Sequence, residues 1–254
     1  AGFSYYDCWV DDARLVLLNA MAARERGAEI LTRTKVTAIA PREGGWEARL
    51  LSGNVERIVQ ARGLVNAAGP WVDRIDGLSS AARVDTKPTS TVRLVKGSHI
   101  VMPRIPGADG AYMLQNSDKR IVFVLPYEER FTIIGTTDLA YDGDPGAVVI
   151  SADEERYLLE LAGRFFKQPL RQSEIVCRYS GVRPLYDDHS DNVSAVTRDY
   201  VLEVIGGETV PPRLSVYGGK VTTYRRLAEE ALDKLAPFFP GMGPAWTATA
   251  PLPG

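Results

Sequence analysis

The chain has 254 residues, 45% of them hydrophobic and 24% charged, with a formal net charge of −2. That length can bury a sizeable core, as one large domain or two small ones, and without a long basic run nucleic acid is excluded as an expected partner. The two cysteines, Cys8 and Cys177, lack zinc or disulfide-framework spacing, so no metal centre is expected and a reducing, cytoplasmic setting is. No signal peptide or spanning stretch is visible, which leaves peripheral attachment to the inner face of a membrane open.

Residues 3–10 are aromatic-rich, and Asp11 or Asp12 is predicted to cap a helix that runs to Arg26, with Gly27 as its stop. Residues 15–23 are apolar on most faces, so this helix is expected to be covered on both sides. Strands are predicted over 29–32 and 35–40, then a hairpin of 46–51 with 55–60 across Ser52-Gly53-Asn54. Residues 63–67 read as a short buried strand ending in Ala67-Ala68-Gly69, and Pro70 suits the first position of a new helix. Small residues at such a strand end suit either a cofactor crevice or tight helix–strand packing.

Residues 76–90 read as a loop. Short strands over 91–102, 111–115, 120–125 and 131–136 predict a mostly antiparallel sheet. A helix over 152–166 has Ser151 as cap and Glu154 as the acid of a capping box. A strand over 174–179 runs into Ser180-Gly181-Val182-Arg183-Pro184-Leu185. A second hairpin joins 200–205 to 213–217 across Gly206-Gly207, and a last helix spans 221–236.

Between that hairpin and helix lies Tyr217-Gly218-Gly219-Lys220-Val221-Thr222-Thr223-Tyr224. A helix start favours acids, because its free N–H groups concentrate positive potential. This one offers Lys220, Arg225 and Arg226 instead. Either an anion arrives from elsewhere, or this is a glycine turn with solvated basic residues. No G-x-G-x-x-G follows a strand anywhere in the chain.

Six stretches occur in order: Asp7-Cys-Trp-Val-Asp-Asp-Ala-Arg14, Ala61-Arg-Gly-Leu-Val-Asn-Ala-Ala-Gly-Pro-Trp71, Lys96-Gly-Ser-His-Ile100, Ile134-Gly-Thr-Thr-Asp138, Tyr179-Ser-Gly-Val-Arg-Pro-Leu185 and Tyr217-Gly-Gly-Lys-Val-Thr-Thr-Tyr-Arg225. Together they resemble the FAD-dependent, aerobic glycerol-3-phosphate dehydrogenases of the D-amino-acid-oxidase-like superfamily, over nearly the whole chain. Family members begin with a Gly-rich βαβ unit and usually end with a helical domain. Neither is seen here, so the expectation is a central fragment of such an enzyme.

The resemblance implies an α/β plus α+β fold, with a partial Rossmann-like FAD-binding domain at 1–76 and 213–254 and an antiparallel-sheet substrate domain at 77–212. It implies FAD contacts from Val36 near the adenine, from Ala67, Ala68, Gly69 and Trp71 at a strand end, and from Gly218, Gly219, Lys220, Val221, Thr222 and Thr223 against the flavin. Arg183, with Thr137 and Lys220, is implied at the substrate site, and His99 is the candidate base for a hydride transfer from C2 of sn-glycerol 3-phosphate. His189, in the polar turn 187–191, reads as a solvated residue. The expected acceptor is a quinone. Alternatives are an oxidase that uses oxygen and a fragment that folds without holding FAD; a homodimer is left open.

Overall fold

A computed structural model describes residues 2–78, 91–116, 120–187, 199–207 and 209–254. Part of the 76–90 loop expectation, and His189, lie outside the described residues. Helix α1 (Asp12–Glu25) is capped by the Asp11 carboxylate, which accepts from Arg14 N. None of its residues is fully buried, and Val16 and Leu17 are exposed, so α1 is not covered on both sides by described residues.

Strands β1 (Thr34–Arg42), β2 (Gly45–Ser52) and β3 (Val55–Ala61) form an antiparallel meander. The predicted turn at Ser52-Gly53-Asn54 joins β2 to β3, with Gly53 at φ 59°. The expected strand over 29–32 is not formed. Ile30 and Leu31 are exposed there and no ladder partner lies beside them among the described residues, and an extended segment without one leaves its backbone groups to water. A bulge interrupts β1 between Val36 and Ala38. Trp46 pins the meander to the rest of the chain, its indole N–H donating to the Pro212 carbonyl at 2.9 Å.

Next come β4 (Leu64–Asn66), a 3-10 turn Gly69–Trp71 with Pro70 inside it, and the short helix α2 (Val72–Asp76). The second sheet contains β5 (Val92–Pro103), β6 (Tyr112–Gln115), β7 (Ile121–Tyr127), β8 (Phe131–Gly135), the short β9 (Leu139–Ala140) and, after helix α3 (Ala152–Gly163), β10 (Cys177–Tyr186). Its order is β10-β5-β8-β7-β6, with β9 added beside β5, and every pairing is antiparallel as predicted. The strand expected at 174–179 runs into the following motif as predicted, but it starts only at Cys177, after a 3-10 turn at Gln172–Glu174. Helix α3 has the predicted Ser151–Glu154 capping box. It covers one face of the sheet, where Ile100, Met102, Val122, Val124 and Ile134 pack on Leu158 and Leu161.

The third sheet has the order β11-β12-β4, from β11 (Tyr200–Ile205) and β12 (Arg213–Gly218). β12 pairs antiparallel with β11 and parallel with β4. The hairpin thus brings together two strands that lie on either side of residue 212. Helix α4 (Tyr224–Leu235) follows a 3-10 turn at Val221–Thr223 and packs Ala231 and Leu235 on Leu214 and Val216.

Candidate active site

Side chains alternate across a strand, and β5 uses both faces. Lys96, Ser98, Ile100 and Met102 face α3, whereas Val95, Gly97 and His99 share the opposite face with their partners Arg183, Gly181 and Tyr179 on β10. The site stands on that second face, and a polar hub supports it from the first. Ser98 Oγ and Thr137 Oγ1 each donate to Glu154 Oε1 at 2.8 Å. The Ser151 amide donates to Oε2 at 2.8 Å, and Lys96 Nζ lies 2.6 Å from the same oxygen. Burial alone would raise the Glu154 pKa; Lys96, the Ser151 amide, Thr137 and Ser98 outweigh it and bring it to about 2. Thr137 is 1% exposed, and its hydroxyl also accepts from Ser98 N at 3.0 Å. That hydroxyl is committed to the hub, so Thr137 reaches the site face only through its neighbours.

On the site face His99 stacks on Tyr179, with ring centroids 4.7 Å apart and planes 2° from parallel. Burial, reinforced by the positive charge of Arg183, lowers the His99 pKa to about 4. Its Nδ1 is buried without a hydrogen-bond partner, and burial favours the uncharged imidazole. It is therefore neutral, and able to accept a proton, throughout the physiological range. Arg183 is half-buried and its Nη2 donates to Asp138 Oδ1. The structure thus brings His99 and Arg183, far apart in sequence, onto one sheet face, where Arg183 pairs with Val95 and its guanidinium reaches over Gly97, the next position on that face before His99.

The third sheet meets this face through the end of β10. A β-carbon on Gly69 would lie 4.0 Å from Pro184 Cγ, and one on Gly218 would lie 3.4 Å from the Tyr186 amide nitrogen and 2.8 Å from the Asp199 carbonyl oxygen. Gly69, Gly218 and Gly219 all have positive φ (55°, 79° and 97°), which a side chain would resist. Ala67 is exposed, and Ala68 and Gly69 are half-buried beside it. Asp76 at the end of α2 fixes these turns from below. It accepts from Asn66 Nδ2 at 2.9 Å, Ser215 Oγ at 2.9 Å and Tyr217 Oη at 2.7 Å, and lies 3.7 Å from Arg213 Nε. Burial, then the hydrogen bond to Asp76, raises the Tyr217 pKa.

Beyond Gly219, Lys220, Val221 and Thr222 are exposed, while the Thr223 hydroxyl turns back to the Lys220 carbonyl at 3.0 Å. Lys220 makes no ion pair among the described residues. Val36 and Trp71 meet in a cleft of about 400 Å³, lined also by Lys35, Thr37, Arg74, Ile75 and Leu78. The bulge in β1 falls at this cleft, and bulges re-aim side chains in this way. These features suit a flavin dinucleotide: a partly apolar cleft with two cations, two glycine turns where backbone can approach a ligand, and an unpaired lysine at a helix start. No group of His, Cys, Asp and Glu among the described residues could hold a metal ion. Sequence reasoning missed Asp76 and Lys35, gave Arg74 no role, held Asp138 only as the end of a motif, and named Glu154 only as a cap.

The mixed three-stranded sheet, the antiparallel sheet set against it and the glycine turns between them define a flavin-dependent oxidoreductase architecture. Residues 1–225 match the family model for FAD dependent oxidoreductases, and the chain belongs to that family. It is 52% identical over its whole length to a glycerol-3-phosphate dehydrogenase of Pseudomonas aeruginosa, of which it covers 49%. It is 48% identical, again over its whole length, to a D-erythritol 1-phosphate dehydrogenase of Brucella abortus, of which it covers 50%. Among solved structures, the glycerol-3-phosphate dehydrogenase of Bacillus halodurans complexed with FAD superposes with a TM-score of 0.78 at 29% identity, over 94% of this chain and 45% of that one. The chain thus spans about half the length of the relatives it matches.

Proposed function

We propose that this chain is the central part of a flavoenzyme that oxidises sn-glycerol 3-phosphate to dihydroxyacetone phosphate and passes the electrons to a quinone. The observation that carries the reading is the placement of His99 and Arg183 on one open sheet face, next to glycine turns that suit FAD. Bound FAD supplies the hydride acceptor. Gly69, Gly218 and Gly219 would let it approach the backbone, the Val36–Trp71 cleft would hold its adenine end, and Lys220 at the start of the α4 segment would favour negative charge on the ring. Arg183 orients the C2 oxygen and stabilises its developing negative charge. His99, held neutral and stacked on Tyr179, takes the hydroxyl proton. A quinone acceptor would set the enzyme at a membrane surface, by peripheral contact in our reading; no helix of the described residues is long and apolar enough to cross a membrane.

The Brucella relative favours a second reading, a four-carbon polyol phosphate as substrate. The test is the parent enzyme with FAD and a quinone analogue, offered sn-glycerol 3-phosphate, D-erythritol 1-phosphate and glycerol. The phosphate supplies remote binding energy that positions C2, so glycerol should be a poor substrate. Equal kcat/KM for glycerol and its phosphate would remove the assignment. A preference for the erythritol ester would select the second reading.

A further inference from the structure

The Gly135-Thr136-Thr137-Asp138 stretch joins β8 to β9, and both strands pair with β5 on the flank opposite β10. Val95 shows the arrangement: Arg183 lies across from it on β10 and Ala140 on β9. Asp138 and Arg183 therefore start on opposite flanks of β5, and their ion pair crosses that strand. It crosses at Gly97, where a β-carbon would lie 3.3 Å from Arg183 Nη2 and 2.4 Å from Thr136 Oγ1. The Nη2 that passes over Gly97 is the one that donates to Asp138. The loop carrying the carboxylate is itself held from beneath, because Thr137 is tied to Glu154 and to Ser98 N.

We propose that Asp138 is a positioning residue for this reaction: it holds the Arg183 guanidinium across Gly97 beside His99, ready for the substrate. This rests on the reading of Arg183 as the substrate-site arginine. A long side chain with many rotamers would otherwise sample solvent, and ordering it in advance removes that cost from the binding step. Both partners are more than a third exposed, so the guanidinium keeps donors free for an incoming oxygen while Asp138 occupies one edge.

The test separates positioning from function. In the 254-residue chain with 15N-labelled arginine, the Arg183 Nη resonances, assigned by their loss in Arg183→Lys, should be resolved from one another by slow rotation. Asp138→Asn should merge them, and Asp138→Glu should retain part of the splitting. In the flavin-loaded parent, Asp138→Asn should lower kcat/KM about tenfold or more, the scale of a misplaced positioning group, with part recovered by Asp138→Glu. Unchanged Arg183 resonances, or unchanged kinetics, in Asp138→Asn overturn the proposal. Wild-type kinetics in Arg183→Ala would instead sink the substrate-site reading, whatever the resonances of Asp138→Asn showed.

Discussion

Gly135 faces His99 across the β5–β8 ladder, and a β-carbon on Gly135 would lie 2.1 Å from His99 Cδ2. No L side chain fits there without moving the imidazole. Gly135→Ala should therefore destabilise the chain by ~1–3 kcal/mol, the usual cost of overpacking, and should disturb the His99–Tyr179 stack. Urea unfolding measures the first effect and the His99 ring chemical shifts the second. An alanine variant with wild-type stability and shifts would contradict this contact.

Arg183→Ala in the parent enzyme should depress turnover by roughly 10²-fold or more, the scale for losing one preorganised oxyanion donor. Arg183→Lys should recover only part, since a point charge cannot reproduce a planar fork. Steady-state kinetics on both variants, with sn-glycerol 3-phosphate as substrate, decide the matter.

The pH dependence has two windows. The folded His99 pKa, about 4, lies below its ordinary 6.5, so between these values the unfolded chain binds a proton that the folded chain refuses. The His99 contribution should make stability fall as pH drops from 6.5 to 4, by about 3 kcal/mol at ~1.4 kcal/mol per unit, and should itself level off below. Glu154 is lowered from 4.5 to about 2; its contribution is present above 4.5 and is lost as pH falls from there to 2. His99→Asn should abolish the upper window and leave the lower one, read from urea midpoints between pH 7 and pH 3. In the parent's pH–rate profile the acidic limb belonging to His99 should lie below the ordinary histidine value of 6.5, because burial and Arg183 lower it.

Asp76→Ala should cost ~3–5 kcal/mol, because it strands the buried Arg213 charge and orphans the Ser215 and Tyr217 hydroxyls. Asp76→Asn keeps an acceptor and should cost less. Thermal melts of the two variants, compared with wild type, measure the difference.

The chain carries no G-x-G-x-x-G turn, the usual cradle for a pyrophosphate. The FAD contacts we propose for it are the Val36–Trp71 cleft and the glycine turns. A fluorescence titration of the 254-residue chain should give a Kd above about 10 μM, each missing charge-assisted hydrogen bond costing ~1.5–3 kcal/mol. Submicromolar binding would show that these contacts suffice.

The antiparallel sheet was readable because its strands are short, alternate and end in turn residues, as in 120–125 and 131–136. His99 and Arg183 stood out through their motifs. What stayed hidden is what depends on which strand lies beside which. Ser98 lies in the middle of β5 and Thr137 in the link between β8 and β9; both are buried, and buried hydroxyls must find partners. Nothing local says that the partner is Glu154, because α3 crosses beneath β5 only after the chain has folded. Asp138 is likewise ordinary until β9 and β10 flank β5. The strand expected at 29–32 shows the converse: local β preference forms nothing without a neighbour to pair with.

Strand β10 meets four features of the site in turn. Tyr179 stacks on His99, Arg183 meets Asp138, Pro184 approaches Gly69, and the Tyr186 amide lies beside Gly218. An extended strand hardly stretches, so it acts as a ruler of about 23 Å at ~3.3 Å per residue, laid from the Tyr179–His99 stack to the glycine turn at Gly218. Its graduations are whole residues. Deleting one between Tyr179 and Arg183 would shorten the span by a single step and would also turn every later side chain to the opposite face, swinging the guanidinium away from the imidazole. Spacing and facing are therefore inherited together, and this part of the chain tolerates substitutions far better than changes in length.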